Sequence, residues 1–192
     1  MGAMAGDAVD RALERVPRAD FLPEPERRRA GEDRPLPIGH EQTSSQPSTV
    51  AAMLRLLDVR PGQRVLDLGS GSGWTTALLG DLVGPQGAVL GVERVPALVS
   101  ASRGALARLD LPWARVRPAE PGVLGAPGEA PFDRILVSAD APEVPREVVD
   151  QLVDGGVLVV PVAGEMLRVV RREEGERITR HGRYRFVPLL PS

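Results

Sequence analysis

Apolar residues recur along this chain in two alternating rhythms. Short, nearly continuous apolar runs fall at 64–68, 88–92, 114–117, 134–138 and 156–161. Between them, 75–82, 96–109 and 145–152 repeat apolar residues at helical spacing; Leu98, Ala101, Ala105 and Leu109 share one face. Strands that are apolar throughout are buried on both faces. The strand–helix alternation therefore predicts an α/β fold, a mostly parallel central sheet with helices on both faces. The rhythm changes at the end. Segments 167–172 and 183–187 read as an antiparallel C-terminal strand pair, joined by the polar, glycine-containing segment 173–182. Upstream, Val9, Leu13 and Val16 predict a short helix before Pro17. Val50, Met53, Leu54 and Leu57 predict another, with Ser45 or Ser48 as its cap. Residues 36–47 between them read as a loop dense in hydrogen-bonding side chains.

A length of 192 residues predicts one domain, large enough to fold without disulfides or a structural metal. Aromatic residues are only 3%, so aliphatic side chains must build the core. With no cysteine, thiolate zinc sites, iron–sulfur clusters and cysteine catalysis are excluded. Two histidines, His40 and His181, are too few for a histidine-rich metal site, so no metal is expected. The net charge of −2 argues against a general nucleic-acid binder. The run Arg27-Arg28-Arg29 is flanked by Glu24, Glu26, Glu32 and Asp33 and reads as a solvated face. No stretch reaches the ~20 apolar residues of a membrane span. Met1 to Asp10 lacks the basic-then-apolar order of a signal peptide. The expectation is a cytoplasmic monomer.

The most informative stretch is Val65-Leu66-Asp67-Leu68-Gly69-Ser70-Gly71-Ser72-Gly73-Trp74. A buried strand runs into a loop with glycine at every second position, then a helix. Gly69, Gly71 and Gly73 let backbone pass close beneath a ligand, and Ser70 lies among them. A dinucleotide fingerprint is G-x-G-x-x-G with pyrophosphate on the helix N-terminus. Here the spacing is G-x-G-x-G, and Asp67 precedes it. A carboxylate there opposes a diphosphate and suits a cationic ligand such as S-adenosylmethionine; a capping carboxylate is the alternative. Glu93 ends the next strand, where it can accept hydrogen bonds from ribose hydroxyls. That supports a nucleoside without choosing between NAD and S-adenosylmethionine. Glu120, beyond the third strand, could reach an adenine amino group. The loop is not a nucleophile elbow, because Gly71 stands where the serine of G-x-S-x-G would be.

The chain resembles the protein-L-isoaspartate O-methyltransferase family, S-adenosylmethionine-dependent enzymes with a Rossmann-like fold. Val16-Pro17-Arg18 with Phe21-Leu22-Pro23 is similar to that family's N-terminal signature. Leu36-Pro37-Ile38-Gly39 followed by Gln42-Thr43-Ser44-Ser45-Gln46-Pro47 resembles the motif separating it from other methyltransferases. Pro131-Phe132-Asp133-Arg134-Ile135, Ala141-Pro142, the run 151–156 with Pro161, and Arg185-Phe186-Val187-Pro188-Leu189 match later landmarks in order. The resemblance implies methyl transfer from S-adenosylmethionine to the α-carboxylate of L-isoaspartyl residues in damaged proteins or peptides. The ester then cyclises to a succinimide, whose hydrolysis restores some aspartate. It implies Asp67, Gly69, Ser70, Gly71, Gly73, Glu93 and Glu120 on the cofactor. Ser45 is implied at the substrate carboxylate, with Ile38, Gln42, Thr43 and Val187 on the substrate side. Residues 1–47 would then carry the N-terminal helix and substrate loop, and 48–192 the cofactor-binding core.

The chain departs from the family in carrying Glu41 where glycine is usual and Glu120-Pro121-Gly122 where a Gly-Asp-Gly motif is usual. Two other functions fit the same residues. One is a tailoring enzyme that methylates an aspartyl side chain in a dedicated peptide to form an aspartimide. The other is a non-catalytic regulator that binds S-adenosylmethionine.

Overall fold

A computed structural model describes residues 7–189 of the chain. Most of the leader reading over Met1 to Asp10 thus lies outside the described residues. Helix α1, Ala8–Arg15, opens with a capping box: the Asp10 amide donates to the Asp7 carboxylate at 2.9 Å, and the Asp7 amide donates to Asp10 at 3.2 Å. A 3₁₀ turn, Arg18–Phe21, and a one-turn helix α2, Glu24–Arg27, carry the chain onward.

Residues 36–44, expected as a loop, form a hairpin of β1, Leu36–Gly39, and β2, Gln42–Ser44. Leu36 and Ile38 are buried and Pro37 and Gly39 exposed, a period of two too short to read before folding. The turn holds His40 and Glu41 at φ +54° and +60°, as a two-residue primed hairpin turn requires. Asparagine and glycine are the usual residues there; each side chain in left-handed backbone costs roughly 1 kcal/mol.

Helix α3, Pro47–Leu57, follows with proline in its first turn. Neither expected serine caps it. Gln46 holds the N-cap position with no side-chain bond to the helix backbone, and the Ser48 amide donates to the Asp33 carboxylate at 2.9 Å. Chain segment 30–34 thus supplies the cap from outside the helix.

The core then alternates β3, Arg64–Leu68; α4, Trp74–Val83; β4, Ala88–Glu93; α5, Pro96–Leu106; β5, Ala114–Pro118; β6, Phe132–Val137; α6, Arg146–Val149; and β7, Leu152–Val162. Each predicted strand and helix of this stretch has its counterpart, with α6 shortened because Leu152 already begins β7. Two antiparallel strands, β8 (Glu165–Arg172) and β9 (Gly175–Arg183), complete a sheet of order β5-β4-β3-β6-β7-β8-β9. Strands β3 to β7 pair in parallel. This is the expected Rossmann-like α/β architecture.

The last strand lies elsewhere than predicted. Segment 173–182, expected as a connector, is mostly β9, paired with β8 from Arg172↔Gly175 to Glu165↔Arg183. β9 is a sheet edge whose charged side chains face solvent, so no apolar alternation announces it. The apolar residues of 183–187 instead pack inward: Tyr184 and Phe186 lie against the core. Val187 and Leu189 then bond to Asp140 through backbone contacts of 2.8 Å each, which brings the C-terminal segment to the end of β6.

Chain order reverses direction beside β3. After β3 the chain moves outward through β4 and β5, then returns to β6 on β3's other flank. In such sheets the crevice at the strand C-termini beside that reversal is where ligands bind.

Candidate functional site

A cavity of about 270 Å³ opens at that reversal point. Its floor is the glycine loop with Val92 and Glu93 at the end of β4; Ser138 and Ala139 follow β6. Its roof is the β1–β2 hairpin with Ser45, and Val187 to Leu189 close one side. The hairpin sits on the loop itself. A Cβ built on Gly71 would meet Ile38 Cδ1 at 3.2 Å, and Gly71 has φ +53°. Gly73 is tighter, since its Cβ would fall 2.8 Å from Ser102 Cβ at φ +87°. These two positions require glycine for opposite reasons: roof clearance at Gly71, helix–helix approach at Gly73.

The loop's own hydrogen bonds bear on which ligand class it accepts. The Gly69 and Ser70 amides donate to the Val92 carbonyl at 2.9 and 3.2 Å, and the Gly73 amide donates to Ser70 at 2.9 Å. The Gly71 amide donates to Glu93 Oε2 at 2.8 Å. Phosphate-binding loops work by aiming such N–H groups at the ligand. Here four of them are spent inside the protein, and carboxylates stand nearby. These four amides are not available to a diphosphate, which weighs against a dinucleotide.

Glu93 is 5% exposed, and its second oxygen accepts from the Val95 amide at 2.8 Å. Two amides therefore pin the carboxylate at the cavity wall. Each oxygen retains a free lone-pair direction, as ribose hydroxyls need.

Asp67 lies beneath the loop, fully buried, and does not line the cavity. Thr75 and Thr76 hydroxyls donate to its Oδ2 at 2.7 and 2.6 Å. Burial pushes its carboxyl up to about 6, against the two threonine bonds that hold it down. Asp67 Oδ1 and Ser70 Oγ are buried without a partner. Ser70 lines the cavity with an unpartnered hydroxyl, and a carboxylate lies beneath it; together they fit a ligand that is polar and positively charged, as the amino-acid end of S-adenosylmethionine is.

Because Asp67 is raised, the folded chain holds its proton between pH 3.8, the ordinary value, and about 6. Stability from this group is complete below that window and falls as pH rises through it, by up to about 3 kcal/mol. Asp67→Asn removes the slope. Melting curves from pH 4.5 to 7 should show the wild type losing stability relative to the variant as pH increases. Parallel pH profiles would place the Asp67 carboxyl in the ordinary range.

Glu120 is not brought to the cavity. Its side chain is 61% exposed and pairs with Arg117 at 3.0 Å, which draws it along the sheet edge. Ala119 and Leu124 line that wall instead. On the roof, Ile38, Gln42, Thr43 and Ser45 line the cavity, and Val187 lines its side. Among the described residues no cluster of three or more ligating side chains could hold a metal ion, and no helix is long and apolar enough to cross a membrane.

Sequence reasoning did not find what holds the roof in place. Arg18 is 4% exposed. Its guanidinium donates to the carbonyls of Ala30, Glu32, Arg34 and Ser44 at 2.9–3.3 Å and to Ser44 Oγ at 3.1 Å. It stacks 5.6 Å from the centre of the Trp74 ring, whose N–H donates to the Val16 carbonyl at 3.0 Å. Burial lowers the pKa of Arg18. One side chain thus ties the N-terminal segment, the hairpin and the first residue of α4 together.

Comparison with known proteins bears on the whole chain. Residues 1–191 match the family described as Protein-L-isoaspartate(D-aspartate) O-methyltransferase (PCMT). The chain belongs to this isoaspartate methyltransferase family. A Protein-L-isoaspartate O-methyltransferase of Methanopyrus kandleri is 44% identical over 99% of this chain and 86% of its own length. One from Methanocella arvoryzae is 46% identical over 93% and 96%. Among solved structures, a putative isoaspartate methyltransferase from Plasmodium falciparum, in complex with S-adenosyl-L-homocysteine, superposes with a TM-score of 0.83. It is 28% identical over 97% of this chain and 92% of its own.

Proposed function

We propose that this isoaspartate methyltransferase family member transfers a methyl group from S-adenosylmethionine to the α-carboxylate of L-isoaspartyl residues in damaged proteins. The observation that carries the reading is the cavity itself: a glycine loop whose amides are used internally faces a roof of hydroxyl and amide side chains across one small space. When bound, S-adenosylmethionine supplies a methyl group on a sulfonium and leaves as S-adenosylhomocysteine.

Each residue's proposed role follows from its surroundings. Gly69, Ser70, Gly71 and Gly73 let the cofactor lie against backbone, and Glu93 accepts the ribose hydroxyls. Asp67 acts from below through its unpartnered oxygen, by charge rather than by lining the wall. Ile38, Gln42, Thr43 and Val187 hold the isoaspartyl backbone. Ser45 donates a hydrogen bond to the substrate carboxylate. That carboxylate is ionised at pH 7, since its pKa is about 4, so no side chain has to remove a proton. The protein's task is to hold an oxygen in line with a methyl carbon, and positioning alone can account for much of such a rate. The substrate is any damaged protein with an accessible isoaspartyl site, met by a cytoplasmic monomer without nucleic acid or membrane.

Tritiated-methyl transfer to matched isoaspartyl and aspartyl peptides tests this. The isoaspartyl peptide should be methylated and its isomer hardly at all. An isoaspartyl carboxylate sits one methylene nearer the main chain, and a polar site can reject the wrong shape by ~10⁴-fold. Activity only on the aspartyl peptide would establish the tailoring function, and cofactor binding without turnover the regulatory one. Ser45→Ala should slow transfer about tenfold or more, the cost of one hydrogen bond to a charged group, with cofactor affinity nearly unchanged. Full activity would remove Ser45 from the site.

A further inference from the structure

The hairpin turn over the cavity holds a carboxylate that the reaction does not use. Glu41 is exposed, lines the cavity beside Gln42, Thr43 and Ser45, and sits at φ +60°. Among the described residues it makes no hydrogen bond or ion pair. Glycine would meet the same backbone requirement without strain. His40, Asp58 and Ala163 share that backbone region without lining the cavity, so it is the charge at the mouth that sets Glu41 apart. The remaining charged groups on the cavity are Glu93, bonded to two amides, and Arg94, exposed and unpaired on the opposite floor.

An anion at this mouth has a definite electrostatic consequence. The group to be methylated is itself a carboxylate, so Glu41 repels every substrate in some measure. A cationic side chain next to the damaged residue reverses that, because it enters beside Glu41 while the substrate carboxylate goes deeper toward Ser45. An acidic neighbour doubles the repulsion. We infer that Glu41 is a specificity-determining residue that directs this protein to isoaspartyl sites flanked by lysine or arginine. The inference rests on the isoaspartyl methyl transfer proposed above and names its substrate more narrowly.

Three isoaspartyl peptides that differ only in the neighbouring residue, Lys, Ala or Glu, test it at low salt. Steady-state methylation should favour the Lys peptide over the Glu peptide by about tenfold in kcat/KM, the size of exposed charge-pair effects taken twice. In Glu41→Gln the ratio should fall close to the value set by the remaining charges, and high salt should compress it in the wild type. Glu41→Gly should lose the preference equally while melting at a higher temperature, which separates charge from backbone strain. An unchanged Lys-to-Glu ratio in Glu41→Gln, with normal turnover of the Ala peptide, overturns the inference alone. Failure of the wild type to methylate any of the three overturns the reaction as well.

Discussion

Glu93→Gln should bind S-adenosylmethionine about ten- to a hundred-fold more weakly than the wild type, corresponding to the roughly 1.5–3 kcal/mol of a hydrogen bond to a charged group. Glutamine is the mildest change in shape, yet it cannot serve. One carboxylate oxygen accepts from the Gly71 amide and the other from the Val95 amide, both at 2.8 Å. A side-chain amide must turn an NH₂ toward one of these N–H groups and lose that bond. Either the Gly71 amide is then released, or the Val95 amide is, and the acceptor proposed for the ribose is disturbed with it. S-adenosylhomocysteine should weaken to the same degree, since both molecules carry the ribose. Calorimetry with both ligands checks this. Normal affinity in a folded Glu93→Gln would leave Glu93 as a brace for the loop with no part in binding.

Arg18→Met should lower stability by about 3–5 kcal/mol, since several carbonyls lose a charged donor at roughly 1.5–3 kcal/mol each, offset in part by the arginine's own desolvation. In a chain of this length that is a fall of about 10 °C in melting temperature. Methionine fills similar volume, so the loss is mainly polar. The carbonyls of Ala30, Glu32, Arg34 and Ser44 lose their donor together. Arg18→Lys keeps the charge but not the planar fork, and a single ammonium cannot reach acceptors spread over residues 30–44. It should recover less than half of the stability. Because Ser44 adjoins Ser45, peptide KM in Arg18→Lys should rise more than the cofactor's dissociation constant. Thermal melting and steady-state kinetics measure both. A Lys variant as stable as the wild type would show that charge alone, stacked on Trp74, holds the roof.

The parallel core and the glycine loop could be read before folding because their signals are local. β3, β4, β6 and the buried part of β7 are apolar on both faces, and that composition has few other uses. Glycine at alternate positions after the first core strand marks backbone that must approach something closely. Glu93 was legible because chain order alone places it at the neighbouring strand's end. Other features depended on partners distant in sequence. Glu120 carried the right chemistry, but Arg117 draws it away from the cavity. β9 is an edge strand whose outward side chains are charged, so its pairing with β8 leaves no apolar trace. The hairpin over the cavity is held by an arginine 26 residues before Ser44. What weighs against a diphosphate is where four loop amides donate their hydrogens. A sequence shows which residues can form such bonds; only the packed chain decides which acceptors they meet, because a buried donor takes whichever partner the tertiary fold places within three ångströms or so.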